Sequence, residues 1–218
     1  VKGFVIAVDG PAASGKGTIA VELGTAYGLA VLDSGLLYRA VGVMLQRAGG
    51  VLGDEAAAIA AAQRLDPASL DDEAFRTRAA GEAASRVAAY PEVRIALRDF
   101  QRAFARQSGG AVIDGRDIGT VIAPDAPAKL YVTASPEVRA RRRWLQLKDA
   151  GEAVSYAEIL ADIERRDARD AGRADSPMRP ADDAVLLDTS QMSISAAADA
   201  ARRIVEAARA KWVKTRKG

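Results

Sequence analysis

The sequence holds no cysteine and no histidine among its 218 residues. The first absence excludes disulfides and thiolate nucleophiles, the second excludes a Ser-His-Asp triad, and together they leave zinc neither thiolate nor imidazole ligands. Any catalysis therefore falls to Lys, Arg, Asp, Glu, hydroxyls, backbone groups or a hard metal ion. Aromatic residues amount to 5%, too few to furnish stacking platforms for unpaired bases, so nucleic acid is not an expected partner. An excess of one charge is also missing: 31 basic residues face 29 acidic ones, a net +2, which by itself does not call for a polyanion. Long apolar runs are absent too. Phe4 to Val8 is far short of the roughly 18 residues a membrane span needs, and no charged-apolar-small leader precedes it. The expectation is a cytoplasmic protein without a membrane partner, acting as a monomer.

What is present suits a globular chain. With 49% hydrophobic and 28% charged residues, it reads as one domain over residues 1–218. Five short apolar runs, Phe4–Asp9, Ala30–Leu32, Ala111–Ile113, Lys129–Val132 and Ala184–Leu187, are separated by long Ala-rich helical patterns. That alternation predicts an α/β fold, a five-stranded parallel sheet with helices on both faces, and ligands at the carboxyl ends of the strands. Residues 51–92 lack a strand pattern and predict a small helical appendage. Residues 149–173 are dominated by charge and predict a short helical lid. Near the end, Ile194, Ala198, Ala201, Val205, Ala208 and Trp212 recur at steps of four and three, the stripe of a helix packed on the core. The cations beyond it, Lys211, Lys214, Arg216 and Lys217, suit a helix C-terminus.

The chemistry is announced at the first strand end. Gly10-Pro11-Ala12-Ala13-Ser14-Gly15-Lys16-Gly17-Thr18 follows the strand and opens a helix. Glycines let successive backbone N–H groups converge on a phosphate, the helix N-terminus adds positive potential, and a lysine reaches the outer phosphates. Gly17 stands where a hydroxyl usually follows the lysine, and Thr18 comes next. A dinucleotide fold is excluded, since these glycines do not spell G-x-G-x-x-G. Later arginines repeat at helical spacing. Arg139, Arg142 and Arg143 share one face, as do Arg166, Arg169, Asp170 and Arg173, and spacing alone predicts a solvated, salt-bridged face for each.

The GKGT variant resembles nucleoside-monophosphate kinases, with adenylate kinase as one candidate. The segments Leu32–Arg39 (LDSGLLYR), Ala83–Pro91 (AASRVAAYP) with Val93-Arg94, Asp114–Thr120 (DGRDIGT) with Pro124–Pro127, and Arg166-Asp167 through Arg169-Asp170 to Arg173 resemble bacterial cytidylate kinase across nearly the whole chain. Between Leu65 and Arg76 this sequence is shorter than members that insert a β-structured excursion. The resemblance implies transfer of the γ-phosphoryl group of ATP, with Mg²⁺, to CMP or dCMP. It also implies roles. Residues 10–18 hold ATP; Lys16, Arg116 and Arg166 serve catalysis. The monophosphate enters beside Ser34, Tyr38 and Arg39. Arg39 and Arg116 hold its phosphate, Arg166 and Asp170 approach the ribose, and Ser85, Arg94, Asp117 and Arg173 read the base. Asp33 and Asp114, at strand ends, either cap the next segment or hold water on Mg²⁺; the sequence leaves both open. A nucleotide-hydrolysing switch acting on a protein partner is the alternative reading of the loop alone.

Overall fold

The computed structural model describes residues 3–67, 70 and 73–216. Five strands, β1 (Val5–Asp9), β2 (Ala30–Asp33), β3 (Ala111–Gly115), β4 (Ala128–Thr133) and β5 (Val185–Asp188), form one parallel sheet in the order β2-β3-β1-β4-β5. The eight helices described are α1 (Lys16–Tyr27), α2 (Ser34–Arg47), α3 (Glu55–Arg64), α4 (Arg78–Val87), α5 (Pro91–Ala105), α6 (Pro136–Asp149), α7 (Tyr156–Ala171) and α8 (Ile194–Thr215). The strands fall within a residue or two of the apolar runs.

Alternation along β1 sorts the layers. Phe4, Ile6 and Val8 join α1 and α8 on one face, through Ile19, Leu23, Ala197, Ala201 and Val205. Val5 and Ala7 point the other way, to Ala105 of α5 and to Ile118 and Ile122, because successive strand side chains alternate faces. A fully buried Ile or Leu here contributes about 1.5–3 kcal/mol, so both coats hold the sheet. The α8 stripe departs from the pattern at one end: Ile194, directly after the Ser193 cap, is exposed, and Ala197 lies in the seam instead. The seam begins one turn into the helix.

Residues 51–92 hold helices and a short 3₁₀ turn, Glu73–Arg76, with no strand among the described residues. Their Ala58, Ala61, Ala62, Ala84 and Val87 pack on Leu37, Val41 and Leu45 of α2 and on Val93 and Leu97 of α5. Pro91 starts α5 at a position where its missing N–H costs nothing. Helix α7 begins with a capping box: Ser155 accepts from the Glu158 N–H, and Glu158 accepts from the Ser155 N–H. Its Ile159 and Ile163 bury against Ala140 and Leu147 of α6. Lys217 lies outside the described residues.

Candidate active site

The carboxyl ends of β1, β2 and β3 converge, as a parallel sheet requires, and three segments leave from them. The first is the glycine loop. Gly10 has φ 148°, and a Cβ there would stand 1.9 Å from the Val132 carbonyl oxygen, so the chain passes too close to β4 for any side chain. Gly15 caps α1 in the left-handed region, and Ala13, two residues earlier, also has a positive φ of 59°, a conformation that costs a residue with a Cβ about 1–2 kcal/mol. Lys16 Nζ lies 3.7 Å from Asp114 Oδ2 at the end of β3. Burial pushes the Lys16 ammonium down and the Asp114 carboxyl up.

The underside of the loop is held by residues that spacing alone assigns to a solvated face. Arg139 is buried and donates to the carbonyls of Ala134 (2.8 Å) and Ala12 (3.3 Å) and to Asp167 (2.6 Å). Arg142 donates to the Thr189 hydroxyl (3.0 Å) and carbonyl (2.7 Å), and the Thr189 hydroxyl lies 3.1 Å from the Ser14 carbonyl. Periodicity shows which residues share a helix face, but not that this face meets the glycine loop.

The second and third segments build a polar cleft beside the loop. Ser34, Tyr38, Ser85, Arg94, Arg116, Asp117, Arg166, Asp170 and Arg173 line it, so side chains spread over 140 positions of sequence come together. Asp170 is its centre. Its carboxylate, 2% exposed, accepts from Ser85 Oγ (2.9 Å), Arg116 Nε (3.1 Å) and Arg173 Nη2, with Arg166 Nε at 3.9 Å. Burial alone would raise it; Arg116, Arg173, Arg166 and the Ser85 hydroxyl together hold it below the ordinary carboxylate value. Burial and the neighbouring Arg116 push Arg166 down to about 10. Ser34 donates to the Asp114 carbonyl at 2.7 Å.

A second pair stands across the cleft. Asp117 accepts from Arg94, whose guanidinium lies over the Tyr38 ring at 5.4 Å. The geometry therefore places Asp117 as the holder of Arg94. Arg39 donates to Asp33 at the entrance, and Asp33 makes no side-chain cap on α2. Lys16, Arg39, Arg94, Arg116, Arg166 and Arg173 outnumber the carboxylates they meet. Buried Nε groups of Arg39, Arg94, Arg166 and Arg173 have no hydrogen-bond partner in the protein. Buried donors are rarely left unpaired, and these N–H groups can donate to an anion that carries hydrogen-bond acceptors.

The sequence model of the cytidylate kinase family matches residues 6–208. A cytidylate kinase of Caulobacter vibrioides is 66% identical, over 96% of this chain and 98% of its own. One from Xanthobacter autotrophicus is 62% identical, over 95% and 99% respectively. Among solved structures, an uncharacterized protein from Eubacterium ventriosum superimposes with a TM-score of 0.57 at 16% identity, over 94% of this chain and 99% of the other. That likeness concerns the fold alone.

Proposed function

The chain belongs to the cytidylate kinase family and is an ATP-dependent kinase acting on CMP; on that premise we propose how its residues divide the work. The observation that carries the division is the shared set of cations at the junction: Arg116 and Arg166 act electrostatically on Lys16 and also face Asp170. ATP lies on residues 10–18. CMP fills the cleft, its phosphate on Arg39 and Arg116, its ribose beside Arg166 and Asp170, its base against Ser85, Arg94 and Arg173, with Asp117 orienting Arg94. dCMP uses the same contacts apart from those to the 2′-hydroxyl.

In the reaction an oxygen of the CMP phosphate forms a bond to the γ-phosphorus as the bond from that phosphorus to the β-γ bridging oxygen breaks. The acceptor is already an anion, so no proton need be abstracted. What the protein supplies is alignment and fixed positive charge on the moving group, and Lys16, Arg116 and Arg166 are that charge. Mg²⁺ fits the donors at hand. Asp33 and Asp114, side by side at the ends of β2 and β3, offer hard oxygens, while no three acidic side chains form a metal cage among the described residues. This suits an ion that keeps waters and phosphate oxygens as ligands. Bound there, the ion would neutralise charge on the phosphates of ATP.

Residues 149–173 are the lid and residues 51–92 the monophosphate-binding appendage. Outside the cleft α7 meets α4 through Arg78 Nε to Asp162 (2.9 Å) and Arg169 to Glu82 (3.0 Å). Exposed pairs of this kind are worth about 0–1 kcal/mol each, so they guide closure without locking it. We read the enzyme as a monomer working without nucleic acid, in the cytoplasm where its substrates are. No described helix is long and apolar enough to cross a membrane.

Base reading is the part of this division most open to test. Cytosine presents acceptors at O2 and N3, and arginine only donates, whereas uracil places a donor at N3. An unpaired group in a closed site costs about 1–3 kcal/mol, roughly 5- to 150-fold. CMP is therefore preferred over UMP by at least one such step. Asp117→Asn releases Arg94 and shrinks the preference, mainly through lower kcat/KM for CMP. An unchanged CMP-to-UMP ratio removes Asp117 from base reading.

A further inference from the structure

Asp9 closes β1 one residue before the glycine loop, yet its side chain serves the other substrate's segment. It is 3% exposed, and both carboxylate oxygens are used: Oδ1 accepts from the Ile118 N–H at 2.8 Å and Oδ2 from the Gly119 N–H at 2.7 Å. Those donors open a π-helical turn, Ile118–Ile122, that directly follows Arg116 and Asp117 and has no side-chain cap of its own. The cap is thus provided from β1, 109 residues away. The approach is close: a Cβ at Gly119 would lie 3.3 Å from Asp9 Oδ2 and 3.2 Å from Lys129 Cδ.

We propose that Asp9 is a positioning residue for acceptor recognition, its carboxylate fixing the backbone that aims Arg116 at the CMP phosphate and Asp117 at Arg94. Asp9 itself touches neither substrate. Two parallel N–H groups need two acceptors side by side, which a carboxylate has and an amide lacks. The choice runs against stability. Burial raises Asp9 to about 7, with Asp117 adding to the rise and Arg116 and the two N–H groups opposing it. A folded value above the free one means that the fold is favoured with Asp9 protonated, an advantage lost as pH rises through about 7. From β4, Tyr131 and Lys129 also face this region, and the Lys129 ammonium is taken by Asp183 and the Pro124 carbonyl.

The inference rests on the reading that Arg116 and Asp117 face CMP, so Asp9→Asn and Asp117→Asn are measured together. Asp9→Asn should raise the KM for CMP about tenfold or more, the effect expected for losing a charged hydrogen bond. The KM for ATP should stay within about twofold. Unchanged CMP constants, or equal losses for ATP and CMP, overturn the proposal. Asp117→Asn weakening CMP use while Asp9→Asn does not overturns it alone; an ineffective Asp117→Asn instead rejects the assignment of Asp117. Should Asp9→Asn not fold, the wild-type enzyme decides. Between pH 8 and pH 6 its KM for CMP should rise up to about tenfold beyond the change due to titration of the CMP phosphate, following the ionised fraction of Asp9. Lys16 and Asp114 also titrate and feel Arg116, so the same pH series is run on Asp114→Asn, and a rise in the KM for CMP that disappears in that variant overturns the proposal. A KM for CMP that follows the substrate phosphate alone overturns the proposal.

Discussion

Replacing Asp170 with Asn keeps the shape of the side chain and removes the negative charge that Arg116, Arg166 and Arg173 share. The carboxylate is 2% exposed and Arg173 4%, Arg116 13% and Arg166 24%, so water screens little of what remains. Removing one partner of a buried ion pair costs about 3–5 kcal/mol, because the opposite charges stay behind unpaired. In a chain of this length each kcal/mol shifts Tm by about 2–4 °C, so Asp170→Asn should lower Tm by roughly 6–20 °C. The kinetic effect should be selective. Released arginines no longer present a fixed surface to CMP, and its kcat/KM should fall by more than about tenfold while the KM for ATP moves by less than about twofold. Thermal denaturation at low ionic strength and steady-state assays of ADP formation, varying one substrate at a time, give both quantities. A Tm loss under about 2 °C, with the KM values of ATP and CMP rising by the same factor, would refute Asp170 as the centre of the acceptor cleft.

Lys16→Met should lower kcat by about 10²–10³, the usual consequence of losing one group aimed at developing charge, with Tm changed by only a few degrees; near-normal turnover of the folded variant would remove Lys16 from catalysis. Hydrogen exchange should slow across residues 149–173 when CMP and a non-hydrolysable ATP analogue are both bound, and equal rates with and without them would show that this segment is no lid. The double variant Arg78→Ala, Arg169→Ala should raise the KM for CMP by less than about tenfold and leave kcat intact, since its pairs lie outside the cleft; a collapse of kcat would place them in the chemistry.

The glycine loop was legible because its meaning is local: backbone freedom at Gly10 and Gly15, a lysine and a helix start lie within a few residues. The strands were legible because a parallel sheet covered on both faces needs unbroken apolar runs. The polar cleft is different. Ser85 and Asp170 are 85 positions apart, and periodicity cannot bring them together; only the resemblance of several separated segments pointed there. Arg139 and Arg142 show the limit of spacing, which groups side chains on a face but is silent about a carbonyl from Ala12 on the other side. Asp9 carried one signal, a carboxylate ending an apolar strand, but its partners are backbone N–H groups that leave no trace in residue type. The exposed Ile194 reflects where α8 meets the sheet, and that is set by tertiary packing.

A cytidylate kinase consumes ATP by transfer to a second nucleotide read as cytidylate. Product analysis with ATP and Mg²⁺, first alone and then with CMP, dCMP, UMP, AMP or GMP in turn, tests it most directly. Expected are negligible phosphate release from ATP alone, stoichiometric ADP and CDP with CMP, transfer to dCMP, and at least fivefold lower kcat/KM for UMP. Steady phosphate release without an acceptor, or equal use of CMP and UMP, would contradict it.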